Sequence, residues 1–155
     1  FSFLSGLYFR GKLEYARRFA VPPQPGSGIW VITANRGLLP AETQVTLAEL
    51  ESFGEVDIIP HDPRYRLPLE RDALIVGTNP DTEFVLLGSV ASDTYAELLV
   101  RALGSRLVYP VDFVGRGDMS RGALMLRAAR AGQELPYQSL AGSVRRGPRA
   151  PRVTR

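Results

Sequence analysis

Phe84-Val-Leu-Leu-Gly88 is the stretch on which the fold turns. It is a short apolar run closed by glycine, which reads as a strand with its side chains in a core. Directly after it, Val90, Tyr95, Leu98, Leu99 and Ala102 recur at helical spacing through Leu103, and Gly104 is a natural helix end. Leu107-Val-Tyr109 is then a further strand. Strand, helix and strand in this order call for a crossover connection, the unit from which parallel sheets are built.

Working outward, the same alternation recurs. Leu7 to Phe19 reads as an amphipathic helix, with Leu7, Phe9, Leu13, Ala16 and Ala20 on one stripe, and Val21-Pro-Pro-Gln-Pro-Gly-Ser-Gly28 ends it. Ile29-Trp-Val-Ile32 reads as a buried strand. Thr46-Leu-Ala-Glu49 has the capping-box spacing and predicts a short helix to about Phe53. Val56-Asp-Ile-Ile59 predicts a second strand ended by Pro60, and Leu67 to Thr78 a helix starting at Pro68, with a strand over Ala73 to Val76 as the alternative. Asp118 can cap a helix through Arg130 that stops at Gly132, and Leu135 to Leu140 is a weak last strand. The expectation is an α/β fold, a three-layer sandwich with a mostly parallel, Rossmann-like sheet. Residues 1–140 form a single domain and residues 141–155 a basic, arginine-rich tail.

Composition narrows the chemistry. A chain of 155 residues, 45% hydrophobic and 23% charged, suits one packed domain. There is no cysteine and His61 is the only histidine, so thiol nucleophiles, thiolate metal sites and imidazole-built zinc or iron sites are excluded or improbable. No metal site is expected, carboxylate-held ions such as Mg²⁺ being the type still compatible, and no cofactor is implied. The start at Phe1 reads as a truncated, processed or partial chain. Phe1 to Phe9 is too short to span a bilayer, and a cytoplasmic protein without membrane association is expected. Removing the five arginines at 145, 146, 149, 152 and 155 takes the formal charge from +3 to 3 − 5 = −2, so the tail carries the basic character. Lys12 is the only lysine, a bias that a GC-rich genome explains better than selection for phosphate contacts.

In a crossover sheet, ligands collect where strand C-terminal ends meet helix N-termini. That selects loops 33–46, 60–68, 88–94 and 110–122. The last holds Phe113-Val-Gly-Arg-Gly-Asp-Met-Ser-Arg-Gly122. Its glycines let backbone approach a ligand, the following helix start favours negative charge, and Arg116 or Arg121 can grip a phosphate or carboxylate, with Gly117 and Ser120 beside them. Turn geometry, a capping Asp118 and internal ion pairs account for the same residues. The pattern lacks the Walker and dinucleotide spacings. Ser89 opens the helix after the strand and can donate to an anion or cap. Asn35 and Arg36, after the first strand, offer polar contacts or serve a turn at Gly37. Asp118, Glu42 and His61 are the groups able to activate water, His61 because it alone titrates near neutrality unperturbed. Tyr8, Tyr65 and Tyr109 can stack on bases or pack in the core. The tail can contact phosphates, a protein partner or a second copy of the chain, or remain solvated.

Leu4-Ser-Gly-Leu-Tyr-Phe-Arg-Gly-Lys12, Val85-Leu-Leu-Gly-Ser89 and the loop from Phe113 to Gly122 together resemble a family of uncharacterised bacterial proteins across most of the chain. Leu7-Tyr-Phe9 followed by Ile32-Thr-Ala-Asn-Arg-Gly-Leu38 is also similar, distantly, to domains associated with deazaguanine modification and the uracil-DNA glycosylase-like fold. The four loops themselves point to a phosphate-bearing ligand, a nucleotide or nucleic acid, held by Arg116, Arg121 and Ser120, with a hydrolase activity that Asp118, Glu42 or His61 would serve, and the resemblance adds a glycosylase-like fold and activity. The late glycosylase loop carries a histidine, whereas this chain has Arg116 and Asp118 there. The alternative is a noncatalytic interaction module that works through its tail.

Overall fold

A computed structural model of the chain describes residues 6–23 and 26–148. Residues 149–155, the last seven of the arginine-rich tail, lie outside that range. Among the described residues, five α-helices and two small sheets make a mixed α/β fold. Helix α1 spans Leu7–Phe19 and stops where Ala20 turns to extended backbone ahead of the prolines. Strand β1, Trp30–Ile32, pairs antiparallel with β2, Leu38–Pro40, a strand that the sequence pattern did not flag. Its register follows from the turn between them: Thr33 donates from both backbone N and Oγ1 to the Gly37 carbonyl, each at 2.9 Å. Gly37 has φ +62°, and a Cβ there would lie 2.6 Å from the Pro68 carbonyl oxygen, so no other residue fits without displacement. β1 is less buried than its apolar run suggests, with Trp30 39% exposed.

Helix α2, Leu47–Gly54, starts at the anticipated capping box, with Thr46 and Glu49 satisfying each other's backbone N–H groups. The strand expected at Val56 to Ile59 does not form. Local turns take its hydrogen bonds, Ile59 N to Asp57 O at 2.9 Å and Asp62 N to Ile59 O at 3.1 Å, and only Val56 of the four is buried. Helix α3, Pro63–Val76, starts earlier than Pro68 because Asp62 accepts from Arg64 N and Pro63 occupies the first turn. Pro68 is carried inside it.

Strand β3 is shorter than its apolar run, Phe84–Val85, and pairs parallel with β4, Leu107–Pro110. Between them runs α4, Asp93–Leu103, whose N-terminus is set by Ser92 rather than Ser89, and Gly104 ends it at φ +60°. Helix α5, Asp118–Ala131, ends at the left-handed Gly132, and strand β5, Tyr137–Ser139, pairs antiparallel with β4. Asp118 is not the cap of α5: Gly117 holds that position without a side-chain cap bond, and the Asp118 carboxylate turns to Arg121 instead. Among the described residues β3–β4 is the one parallel pairing, against β1–β2 and β4–β5, which are antiparallel. The paired strands therefore form two small sheets in place of one mostly parallel sheet.

The core gathers Tyr15 of α1, Tyr65 and Leu69 of α3, Leu99 of α4, Tyr109 of β4, Phe113 just after it and Met125 of α5. Each fully buried side chain of this kind contributes about 1.5–3 kcal/mol relative to exposure. The tightest helix contact is α1 against α5. A Cβ on Gly11 would come within 2.9 Å of the Gly122 carbonyl oxygen, and one on Gly122 within 3.1 Å of the Tyr8 Cα, so glycine on both sides lets the backbones touch. That contact fixes where the Tyr8 and Lys12 side chains sit relative to Arg121. Among the described residues no helix is long and apolar enough to cross a membrane.

Candidate functional site

The loop before α5 is closed on itself. Gly115, at φ +73°, turns the chain, and Arg116 donates from Nε to the Asp112 carbonyl at 2.7 Å and from Nη1 to Ser120 Oγ at 3.1 Å. Arg121 is 5% exposed and points inward, donating from Nη2 to Asp118 Oδ1 at 2.5 Å. Its guanidinium lies 5.4 Å from the centroid of the Tyr8 ring, a cation–π contact, and its Nε is buried without a partner. The two arginines singled out for an anion are thus tied within the loop, and Gly117 serves as the α5 cap.

The remaining sequence-selected residues scatter. Asn35 donates from Nδ2 to the Ser52 carbonyl at 3.0 Å, and Arg36 is ion-paired with Glu49, so both fasten the β1–β2 turn to α2. Glu42 is exposed and accepts from Ser27 Oγ at 3.1 Å, in a recess it shares with Arg17 of α1. His61 is exposed in the turn before α3, and its neighbour Asp62 is committed to the cap and to Arg64 at 2.6 Å. Among the described residues no hydrogen bond or ion pair joins any two of Asp118, Glu42 and His61. Ser89 does lie at the C-terminal end of β3, where its carbonyl accepts from Tyr95 Oη at 2.8 Å. The tail also returns to this edge: Arg145 pairs with Asp93 of the first turn of α4 at 3.1 Å, and a Cβ on Gly147 would lie 2.9 Å from Val114.

What the structure brings together instead is a cleft of about 850 Å³. Lys12 and Ala16 of α1, Trp30 and Ile32 of β1, Tyr65 of α3, Leu87 and Gly88 after β3, and Tyr95 of α4 line it. Its volume is within the range of small-molecule and cofactor sites, and its wall is mostly apolar with few polar groups. β1 pairs only with β2 and β3 only with β4 among the described residues, and both strands face this space.

The polar groups of the cleft are unusual in their partners. Tyr65 is 0% exposed and its hydroxyl has no hydrogen-bond partner. Burial, reinforced by Tyr95, pushes its pKa up to about 12, so it keeps its proton and stands as an unused donor. Leaving such a group buried and unpaired costs about 1–3 kcal/mol. Burial likewise raises the Tyr95 hydroxyl, with Arg121 pulling the other way. Tyr8 donates to the Leu87 carbonyl at 3.3 Å, and burial raises its hydroxyl above the usual tyrosine range. The Lys12 Nζ rests 4.1 Å from the centroid of the same Tyr8 ring that Arg121 contacts. Burial lowers the Lys12 pKa; Asp118 raises it in part, and Arg121 lowers it by less than Asp118 raises it. At the β5 side of the cleft the hydroxyls of Tyr15 and Tyr137 share a 2.5 Å hydrogen bond, and Tyr137 Oη donates to Glu134 Oε1 at 2.8 Å.

Tyr95 escapes a sequence reading because it sits on the periodic apolar face of α4, and Lys12 because it falls among the charged residues between the apolar positions of α1, where a polar end looks like ordinary amphipathic patterning. Tyr65 and Tyr109 are both 0% exposed and cannot offer a free ring face to a base. The one available signal for Lys12 is its isolation in a chain otherwise basic through arginine. Among the described residues no three acidic or histidine side chains converge to hold a metal ion. No family model, curated protein or solved structure matches the chain, so the functional reading rests on the geometry of this cleft.

Proposed function

We propose that the protein binds a phosphate-bearing small molecule of nucleotide size in the cleft between α1, β1, α3 and β3. The observation that carries this reading is Tyr65, a residue lining the cleft whose fully buried hydroxyl has no partner inside the protein. A ligand acceptor placed there removes the cost of leaving it unpaired. Lys12 is the cation of the cleft wall, set 4.1 Å from the Tyr8 ring centroid, with Glu83 and Glu134 elsewhere on the same wall. In this reading Lys12 takes the role that the sequence suggests for Arg116 and Arg121, and Ser89 remains a contact.

The fold reading belongs with it. β3, α4 and β4 form one parallel crossover unit, which we take as the Rossmann-like part of the chain, with the ligand at the C-terminal end of β3. The likeness to glycosylase-like domains is carried as a proposal on the same footing, and binding rather than base excision is the activity proposed.

Trp30 is the only tryptophan and lines the cleft, so its fluorescence reports occupancy. Titration with adenosine and guanosine nucleotides should change that signal saturably at micromolar concentration, and Tyr65→Phe should weaken the binding about tenfold, the loss of one buried hydrogen bond. No saturable change with any nucleotide, or equal affinity in Tyr65→Phe, overturns the reading.

A further inference from the structure

The basic charge of the chain is gathered at one place. Residues 141–155 hold five arginines and no acid, while the rest of the chain sums to 3 − 5 = −2. The structure fastens the start of that run beside the cleft. Arg145 is paired at 3.1 Å with Asp93, in the first turn of α4, and the Gly147 backbone lies so close to Val114 that a Cβ there would come within 2.9 Å. Asp93 is two residues from Tyr95, which lines the cleft, so the anchor sits within one helical turn of the cleft wall. Arg146, next to the anchor, is exposed and has no ion pair among the described residues. From there arginine recurs at every third position, as Arg149, Arg152 and Arg155, with Pro148 and Pro151 between them.

The residue types decide what such a run holds. Residues 145–155 contain no aromatic residue, leucine, isoleucine or methionine, and Val153 is the largest apolar side chain. Amphipathic membrane segments seat such groups in the lipid, and protein interfaces are centred on them, so neither kind of partner finds its anchor here. A phosphate backbone needs only positive charge at intervals, and arginine meets phosphate with two parallel hydrogen bonds. A duplex keeps its bases stacked inside, whereas a single strand presents them, and Trp30, 39% exposed on the cleft wall, gives one base a face to stack on.

We propose that the tail is the arm that holds the backbone of a single-stranded nucleic acid, one nucleotide of which enters the cleft. The inference rests on the nucleotide reading of the cleft and adds to it the polymer that carries the nucleotide.

Fluorescence anisotropy of a labelled single-stranded oligonucleotide, long enough at about 12 nucleotides to cover one binding site, tests this on the full chain beside the Trp30 titration with mononucleotides. The oligonucleotide should bind about tenfold or more tightly than a mononucleotide, because tail and cleft act on one strand, and saturating mononucleotide should compete with it. Its affinity should fall about fiftyfold between about 50 and 200 mM salt, the loss that four phosphate contacts on a single strand give. Arg146→Gln, Arg149→Gln, Arg152→Gln and Arg155→Gln together should abolish both the gain and the steep salt dependence, with the thermal transition and the mononucleotide titration unchanged. Mononucleotide binding beside an oligonucleotide that binds no tighter, or that loses nothing in the fourfold variant, overturns the inference and leaves the cleft reading standing. Equal affinity for poly-glutamate or for vesicles containing phosphatidylserine also overturns it, by making the tail a general anion contact or a membrane contact. Steep, tail-dependent binding of the oligonucleotide with no Trp30 response to any nucleotide leaves the backbone contact of the tail standing and removes the cleft reading alone.

Discussion

The loop from Phe113 to Gly122 and the cleft around Tyr65 and Lys12 differ in how their polar groups are matched. In the loop, Arg116 and Arg121 meet Asp112, Asp118 and Ser120 within the segment, and the glycines serve the turn and the helix start. In the cleft, a fully buried hydroxyl and the lone lysine face a space of about 850 Å³ without a hydrogen-bonding or ionic partner. Apart from the buried Arg121 Nε, the loop's polar groups meet one another, so density along the chain is poor evidence for a site. An unmatched buried group is better evidence, because folding leaves its cost uncompensated until something binds.

The largest effect that can sharpen this comparison comes from the contact supporting both regions. Gly11→Val or Gly122→Val drives a side chain into backbone between α1 and α5, and each should lower the unfolding free energy by about 3 kcal/mol in urea titrations. Unchanged stability would mean that the two helices do not meet as described. Next is Arg121→Ala. If the loop is structural, this variant loses about 2 kcal/mol through lost packing and an abandoned Asp118, and its binding defect follows its stability. Lost binding with the thermal transition unmoved would return the loop to the status of a site.

Tyr65→Phe tests the other side. Removing an unpaired buried hydroxyl should leave the free protein unchanged or about 1 kcal/mol more stable, while weakening ligand binding. Destabilisation on that scale would point to a partner inside the protein. Lys12 adds a pH signature. Its folded pKa is lowered, so between that value and its ordinary 10.5 the unfolded chain binds more protons and stability rises with pH across the window. Lys12→Met should be more stable than the parent at neutral pH and lose that advantage as pH rises toward 10.5, as read from unfolding at a series of pH values. Smallest of all, Arg116→Ala should shift stability by less than about 1 kcal/mol, since its bonds are partly exposed.

The helices were legible from local signals. Thr46 and Glu49 announced α2, Gly104 and Gly132 closed α4 and α5, and the prolines after Ala20 ended α1. Pairing was harder to read, because an apolar run does not say which edge it will meet. Val56 to Ile59 had the composition of a strand, yet local turns claimed its backbone, and Leu38 to Pro40 formed one because the Gly37 turn folded it against β1. Of the cleft wall, Gly88 falls in a loop that the crossover rule selects, and Lys12 was legible only as a compositional oddity.

By itself the sequence determined the mixed α/β class, the points where α1, α4 and α5 stop and the concentration of positive charge in the tail, since caps, breakers and charge act within a few residues. Only the tertiary structure decided which polar groups would be used up and which left over. Arg121 found Asp118 three positions away, while Tyr65 found no partner at all, because its surroundings are assembled from α1, β1, β3 and α4. Satisfaction of a buried donor depends on atoms distant in the chain, and packing alone brings them within reach or leaves the gap.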